Sequence, residues 1–181
     1  MLIELNLIFK NFIYLNESES REILRLRNQK QIRENMRESK KISLEDHMSF
    51  IKTLKTLNDR KYFALMKEED ILGSLNFVKD GKLFWGLYFK DEVNPMYKSL
   101  SCYIFLNYIF SKFDENLNSF IKKNNPQALS FNKSFGFSEY KSDEEYIYLK
   151  LSKKEWDEKK ESKLLSPVKK YLSKTTYSIK E

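Results

Sequence analysis

Asparagine and proline at 125 and 126, with a glycine at 136, bracket barely two turns of chain in NNPQALSFNKSFGF, residues 124–137. The whole chain holds only four glycines and three prolines, so spending one of each here is a strong constraint. Asn125 suits an N-cap, and Pro126 suits the first helical position, where no amide hydrogen is required. Gly136 falls where the residue following a helix takes left-handed dihedrals. LNSFIK before the stretch reads as a short strand, and SEYKSDEEYIYLKL after it reads as a hairpin. A helix that starts directly after one strand and stops abruptly before another brings its positive end to the sheet's carboxyl edge. Such a junction can hold a polar group; on local pattern alone it reads equally as a structural connector.

The rest of the chain has the same brevity of connection. MLIELNLIFKNFIYLN alternates as an opening strand, and NESESREILRLRN carries the signs of a capped helix. Ser43 caps a second helix, in which Leu44, Met48, Ile51 and Leu54 recur at helical spacing. KYFALM and DILGSLNFV are strand-like runs around the turn KEED, and KDGK is a hairpin signal leading into LFWGLYFK. Residues 99–113 are apolar on nearly every side, which predicts a buried helix. The predicted fold class is therefore α+β: a mixed, largely antiparallel sheet of about seven strands with helices on both faces. Residues 1–151 form the expected domain. Residues 152–181, Lys-rich and interrupted at Pro167, are expected to form a charged helical extension appended to it.

Charge and cysteine content narrow the function. The formal charge is +7, but residues 152–181 hold nine lysines against five acidic residues, which leaves +3 for the body. That balance suits a small anionic ligand, and no zinc finger, RNA-binding aromatic motif or compact arginine cluster supports nucleic acid as a partner. One cysteine, Cys102, and one histidine, His47, exclude an internal disulfide and argue against a metal site. No apolar run reaches the roughly 20 residues of a membrane span, and no signal peptide is evident, so a cytoplasmic location is expected. A homodimer is left open.

The pattern Asn125, Ala128, Leu129, Gly136, Phe137, in this order of elements, resembles the acceptor-side motif of the GNAT superfamily of N-acetyltransferases. RLRNQKQIRENM, SLEDHMSFI, KYFALM, ILGSLNFV, GLY and NNPQALSFNKSFGF, across residues 22–151, resemble more narrowly the PseH type. Arg27, Asn28, Met36, His47 and Phe50 carry that narrower likeness. The resemblance implies the GNAT fold, acetyl-CoA as cosubstrate, and a UDP-linked 4-amino-4,6-dideoxy sugar as acceptor, on the route to a flagellin-decorating sugar. Another amine acceptor, or a binding module that has lost its cofactor, remains an alternative.

Acetyl transfer needs a neutral amine, a stabilised oxyanion and a protonated leaving thiolate. By the resemblance, the strands holding Gly86–Lys90 and Leu117–Lys122 part, and pantetheine lies along the backbone as an added strand. A backbone N–H among Leu87, Tyr88 and Phe89 then polarises the thioester. Tyr97, Lys98 and Ser99 are expected at the phosphates, with Asn125, Ala128, Phe131 and Asn132 along the cofactor arm. Catalytic assignments fall on Tyr88 and Asn132, the latter standing where relatives place a proton-donating tyrosine. Arg27, Asn28, His47, Asn76 and Trp85 are the expected acceptor contacts, with Arg27 matched to the diphosphate. Two departures stand out: FKDEVNPMYKSLSCY lacks the glycines usual in the pyrophosphate loop, and Phe84 stands where a glutamate is common.

Overall fold

The structure, a computed structural model, describes residues 5–181; residues 1–4 of the expected opening strand lie outside the described residues. Eight strands form one mixed sheet: β1 Leu5–Asn11, β2 Arg60–Lys67, β3 Asp70–Asp80, β4 Lys82–Phe89, β5 Leu117–Lys122, β6 Ser138–Ser142, β7 Tyr146–Leu151 and β8 Thr175–Lys180. Their order is β6-β7-β5-β4-β3-β2-β1-β8. The helices are α1 Glu17–Arg27, α2 Lys30–Arg33, α3 Leu44–Leu54, α4 Pro95–Lys112, α5 Pro126–Ser134, α6 Lys153–Lys159 and α7 Ser166–Leu172. The contacts group into two units: one comprises the described residues up to Val78 with Gly86–Asn94 and Lys174–Glu181, the other Lys79–Trp85 with Pro95–Ser173.

In the first unit, β1 to β3 pair antiparallel, and α1 and α3 cover one face of them. Both helices begin as their sequences predict. Asn16 and Glu19 form a reciprocal capping box on α1, and Ser43 accepts from Asp46 N on α3. Ile23, Ile51 and Leu54 pack on Ala64, Met66 and Ile71 in a closed apolar cluster. The β2–β3 register shifts between Leu65 and Met66, opposite Gly73. A Cβ on Gly73 would sit 2.3 Å from the Tyr88 carbonyl oxygen of β4, so only glycine permits that approach.

The second unit is built around α4, whose residues Leu100–Leu106 are buried without exception, as an all-round apolar helix requires. Here α5 ends as expected: Gly136 has φ +98°, Gly136 N donates to Lys133 O, and Phe137 N reaches Asn132 O at 3.4 Å. These two bonds make a Schellman stop, which turns the chain straight into β6. β5 pairs antiparallel with β7 over its full length, whereas its parallel pairing with β4 is confined to Leu83–Leu117 and Phe84–Asn118.

The C-terminal residues correct one expectation. The expected mixed sheet of about seven strands is present with eight, Thr175–Lys180 lying parallel to β1 as the additional strand. Residues 152–173 are not a solvent-facing charged helix: Trp156 is fully buried, its Nε1 donates to Asn107 Oδ1 at 2.9 Å, and its ring meets Tyr103 edge-on. Leu165 and Val168 are buried too. A few apolar residues spaced among lysines suffice to anchor the segment, which its mean charge concealed. Trp156→Ala is therefore expected to cost about 3–5 kcal/mol, read as a large fall in the thermal midpoint. A solvent-facing appendage would leave that midpoint unchanged.

Candidate acceptor and cofactor site

Within the first unit, Arg27, Ser74, Asn76 and Tyr88 lie on the sheet face that α1 and α3 cover, and His47 stands on α3 with its ring against Phe12. Alternation puts Tyr62, Ala64, Ser74 and Asn76 on that face, since Tyr62 opposes Asn76 and Ala64 opposes Ser74. Asn76 extends over Gly86, where a Cβ would stand 2.7 Å from the Asn76 Oδ1. Gly86 thus makes room for a carboxamide.

Tyr88 keeps part of its surface open, yet its phenol is enclosed and burial pushes its pKa up to about 12. Ser74 Oγ lies close enough to favour the ionised phenol but makes no hydrogen bond of ordinary geometry, and it is buried without a partner. The Arg27 guanidinium also acts on the Tyr88 phenol. Arg27 closes the C-terminal turn of α1; its Nη2 donates to Glu38 O at 2.9 Å, while its Nη1 is buried with no hydrogen-bond partner. Burial lowers the Arg27 pKa, though a guanidinium stays charged across any working pH.

His47 is only 5% exposed and its Nε2 is likewise buried without a partner. Burial lowers its pKa below 6.5, with the Ser20 backbone opposing that shift, so the imidazole is neutral at pH 7. Its ring meets Phe12, which in turn packs against Tyr62 at 5.8 Å. Arg27 Nη1, His47 Nε2 and Ser74 Oγ are three of five buried side-chain polar atoms without a partner among the described residues, the others being Arg33 Nε and Ser162 Oγ.

Asn28, an expected acceptor contact, does something else. Its Nδ2 donates to Ile42 O at 2.8 Å and its Oδ1 accepts from Ile42 N at 2.9 Å, so both ends of the amide clamp the segment leading to α3. Leu87 and Phe89 are half-buried neighbours of Tyr88 on β4. The glycine-free segment that follows is held by Lys90, which pairs with Asp70 at 2.9 Å and Glu22 at 3.4 Å. Burial of Lys90 disfavours its charge, but the two carboxylates outweigh that and raise its pKa. Val93 is buried beneath.

In the second unit, α4 starts at Pro95, so Tyr97 lies in its first turn and Lys98 and Ser99 follow directly, all half-buried. Asn125 caps α5, accepting from Ala128 N at 3.1 Å. Phe131, half-buried, packs on Phe135. Asn132 and Trp85 are bonded to each other. Asn132 is 4% exposed, donates Nδ2 to Ala128 O at 2.8 Å, and accepts from Trp85 Nε1 at 3.3 Å. An amide so engaged is a buried brace, without a proton or a free face for chemistry. Trp85 is buried and stacked on Phe137 at 5.0 Å, so its ring is spent on packing rather than on an acceptor. Sequence reasoning missed Ser74, Tyr62 and Asn118; Asn118, which donates Nδ2 to Leu83 O at 3.0 Å, ties the short β4–β5 ladder. Only their strand parity could have signalled them.

Among the described residues no group of three His, Cys, Asp or Glu side chains is arranged to hold a metal ion, and no helix is long and apolar enough to cross a membrane. The neutral state of His47 has a consequence for stability. Below pH 6.5 the unfolded chain protonates this imidazole while the folded chain resists, so its contribution is full above that pH and falls as the solution is acidified. The thermal midpoint is expected to drop between pH 7 and about pH 5, and His47→Gln to flatten that drop.

No family model matches the chain. It is 30% identical over 145 residues to the acetyltransferase PseH of Campylobacter jejuni, covering 78% of this chain and 91% of that protein. The crystal structure of Campylobacter jejuni PseH in complex with acetyl coenzyme A superposes with a TM-score of 0.66 at 27% identity, over 81% of this chain and 99% of that one. Spermidine N-acetyltransferase from Vibrio cholerae, in complex with CoA and spermine, shares the fold at a TM-score of 0.70 and 14% identity, over 84% of this chain and 98% of that one.

Proposed function

The chain belongs to the PseH family of acetyltransferases, and we propose that it moves the acetyl group of acetyl-CoA to the 4-amino group of a UDP-linked 4-amino-4,6-dideoxy sugar. On this reading it serves pseudaminic acid biosynthesis for flagellin glycosylation, in the cytoplasm. The observation that carries the acceptor is the pair of unsatisfied buried atoms Arg27 Nη1 and Ser74 Oγ beside Tyr88, with a third, His47 Nε2, on α3 against Phe12. A guanidinium matches a diphosphate through paired N–H donors. A hydroxyl, an amide at Asn76 and a neutral imidazole suit the many hydroxyls of a nucleotide sugar.

Acetyl-CoA supplies the thioester. The chain's part is to hold the reactants and stabilise charge. Backbone N–H groups of Leu87 and Phe89, which flank Tyr88 on β4 beyond its two pairs with β5, would bond the cofactor arm and the developing oxyanion, worth about 3 kcal/mol per donor, while the Tyr88 backbone faces Gly73 of β3. Asn125 uses its oxygen for the helix cap, which leaves the Nδ2 donors for pantetheine; Ala128 and Phe131 line its course. The start of α4, with Tyr97, Lys98 and Ser99, would receive the phosphates at a positive helix end. The sugar amine, neutral near its own pKa, would attack the carbonyl carbon as a C–N bond forms, the nitrogen would shed its extra proton to water, and the C–S bond would break. The thiolate takes its proton from water, a tolerable outcome for a thiol of pKa about 8.5, because Asn132 is committed elsewhere.

Release of free thiol from acetyl-CoA with a UDP-4-amino sugar tests the reading. A preference for peptide N-termini, or no thermal stabilisation by saturating CoA, counts against it. Arg27→Lys is expected to raise KM for the sugar nucleotide by about tenfold while leaving KM for acetyl-CoA unchanged. Asn132→Ala should lose about 1–3 kcal/mol of stability, as a buried network loses a member, with the pH profile of kcat unmoved at a temperature where both proteins are folded.

A further inference from the structure

The arginines of the chain are engaged in two different ways. Arg21, Arg25 and Arg60 each meet a carboxylate, on Glu17, Glu22 and Asp59. Arg27 and Arg33, the last residues of α1 and α2, form no ion pair among the described residues; Glu38 acts on Arg27 only from beyond that distance. Each instead donates one arm to the segment that leads to α3: Arg27 Nη2 to Glu38 O and Arg33 Nη1 to Ser39 O, both at 2.9 Å. Each also keeps a second donor, Arg27 Nη1 and Arg33 Nε, buried and without a partner. A cation at a helix C-terminus ordinarily serves the last carbonyls of its own helix. These two reach past their helices to consecutive carbonyls, a step of about 3.8 Å between Cα atoms, so both guanidiniums are gathered on one residue step of chain. Residues 27–41 hold six basic residues against two acidic, net +4, which exceeds the +3 of the whole body and favours an anion there.

Taking the nucleotide-sugar acceptor proposed above as the premise, we propose that Arg33 is a second diphosphate-binding residue, its Nε sharing the anion with Arg27 Nη1. The carbonyl bonds fix each guanidinium plane before the ligand arrives, which lowers the ordering cost of binding. The spare donors then make charge-assisted bonds to phosphate oxygens. Access comes from the segment itself. Residues 34–43 contain no helix or strand and no buried side chain. They are tied to α1 and α2 through the backbone, by the two arginines and by the Asn28 amide on Ile42. A segment held in this way yields at low cost, and its yielding opens the shielded donors to an anion.

Calorimetric titration of UDP and of inorganic pyrophosphate, with CoA saturating so that the cofactor's own phosphates are in place, tests this. Arg33→Gln is expected to weaken both ligands about tenfold, as a charged hydrogen bond is lost, and to leave the affinity for CoA unchanged. Arg33→Lys, which keeps the charge without the forked donors, should recover only part of that loss. Combining Arg27→Gln with Arg33→Gln should cost less than the product of the two single losses, because both residues serve one anion. Wild-type protein that binds neither UDP nor pyrophosphate beside CoA overturns the proposal. So does unchanged binding in both Arg33 variants, or single losses that multiply in full. The acceptor reading fails separately. Acetylation of a UDP-4-amino sugar with an unchanged KM in Arg33→Gln removes the role of Arg33 and keeps that acceptor; Arg33-dependent pyrophosphate binding without such acetylation keeps the anion site and removes the acceptor.

Discussion

The close passage of β4 over Gly73 is the constraint on which the acceptor side of the structure rests. With the Tyr88 carbonyl 2.3 Å from the place a Cβ would occupy, no residue but glycine lets the two strands lie as they do. The consequence reaches outward from there. Tyr88 is carried to Ser74 and to the charge of Arg27; Lys90 N can then bond Leu72 O at 2.9 Å. Lys90 ties the following segment to Glu22 of α1 and to Asp70 of β3. A glycine that reads in the sequence as an ordinary strand residue thus registers the helix bearing Arg27 against the strand bearing Tyr88. Gly86 works similarly through space rather than backbone freedom, by admitting Asn76.

Local chemistry was legible, and contacts that depend on pairing were not. The cap at Asn125, the stop at Gly136, the caps at Asn16 and Ser43 and the buried run of α4 each follow from residues within one or two turns of one another. The fold class followed from their order. By contrast, Asn28, Asn132 and Trp85 had the residue types of ligand contacts and turned out to bond Ile42, Ala128 and each other. An amide's partner is set by which strand or turn lies alongside, and that is a long-range property. The same reason hid Ser74 and Asn118. Residues 152–181 misled through their mean composition, in which nine lysines outweighed the single tryptophan that anchors them.

The departures from the wider superfamily fit together physically. A segment without glycine cannot wrap closely around phosphate, and here it is instead a braced connection held by ion pairs and a buried Val93. On the proposed reading, phosphate would fall to the start of α4 and Lys98, through dipole and charge rather than through a tight backbone nest. In the same way the amide at 132 accepts a hydrogen bond from Trp85 Nε1, which ties α5 to β4. Both changes exchange specialised chemistry for rigidity. They are tolerable where the leaving group is already a good one and the amine needs little activation.

What remains is an energetic puzzle with a functional answer. Each buried polar atom without a partner costs about 1–3 kcal/mol, against a total stability of about 5–15 kcal/mol for a domain of ordinary size. Arg27 Nη1, His47 Nε2 and Ser74 Oγ, all in one unit, are an appreciable fraction of that. A fold selected for stability alone would have replaced Ser74 with alanine and His47 with a leucine-sized residue, because the neighbours are Phe12, Tyr62 and Ala64. Retaining them is explained on the proposed reading, in which a bound acceptor would complete their bonds. The penalty then becomes selectivity: a ligand that satisfied these groups would be favoured over one that left any of them bare.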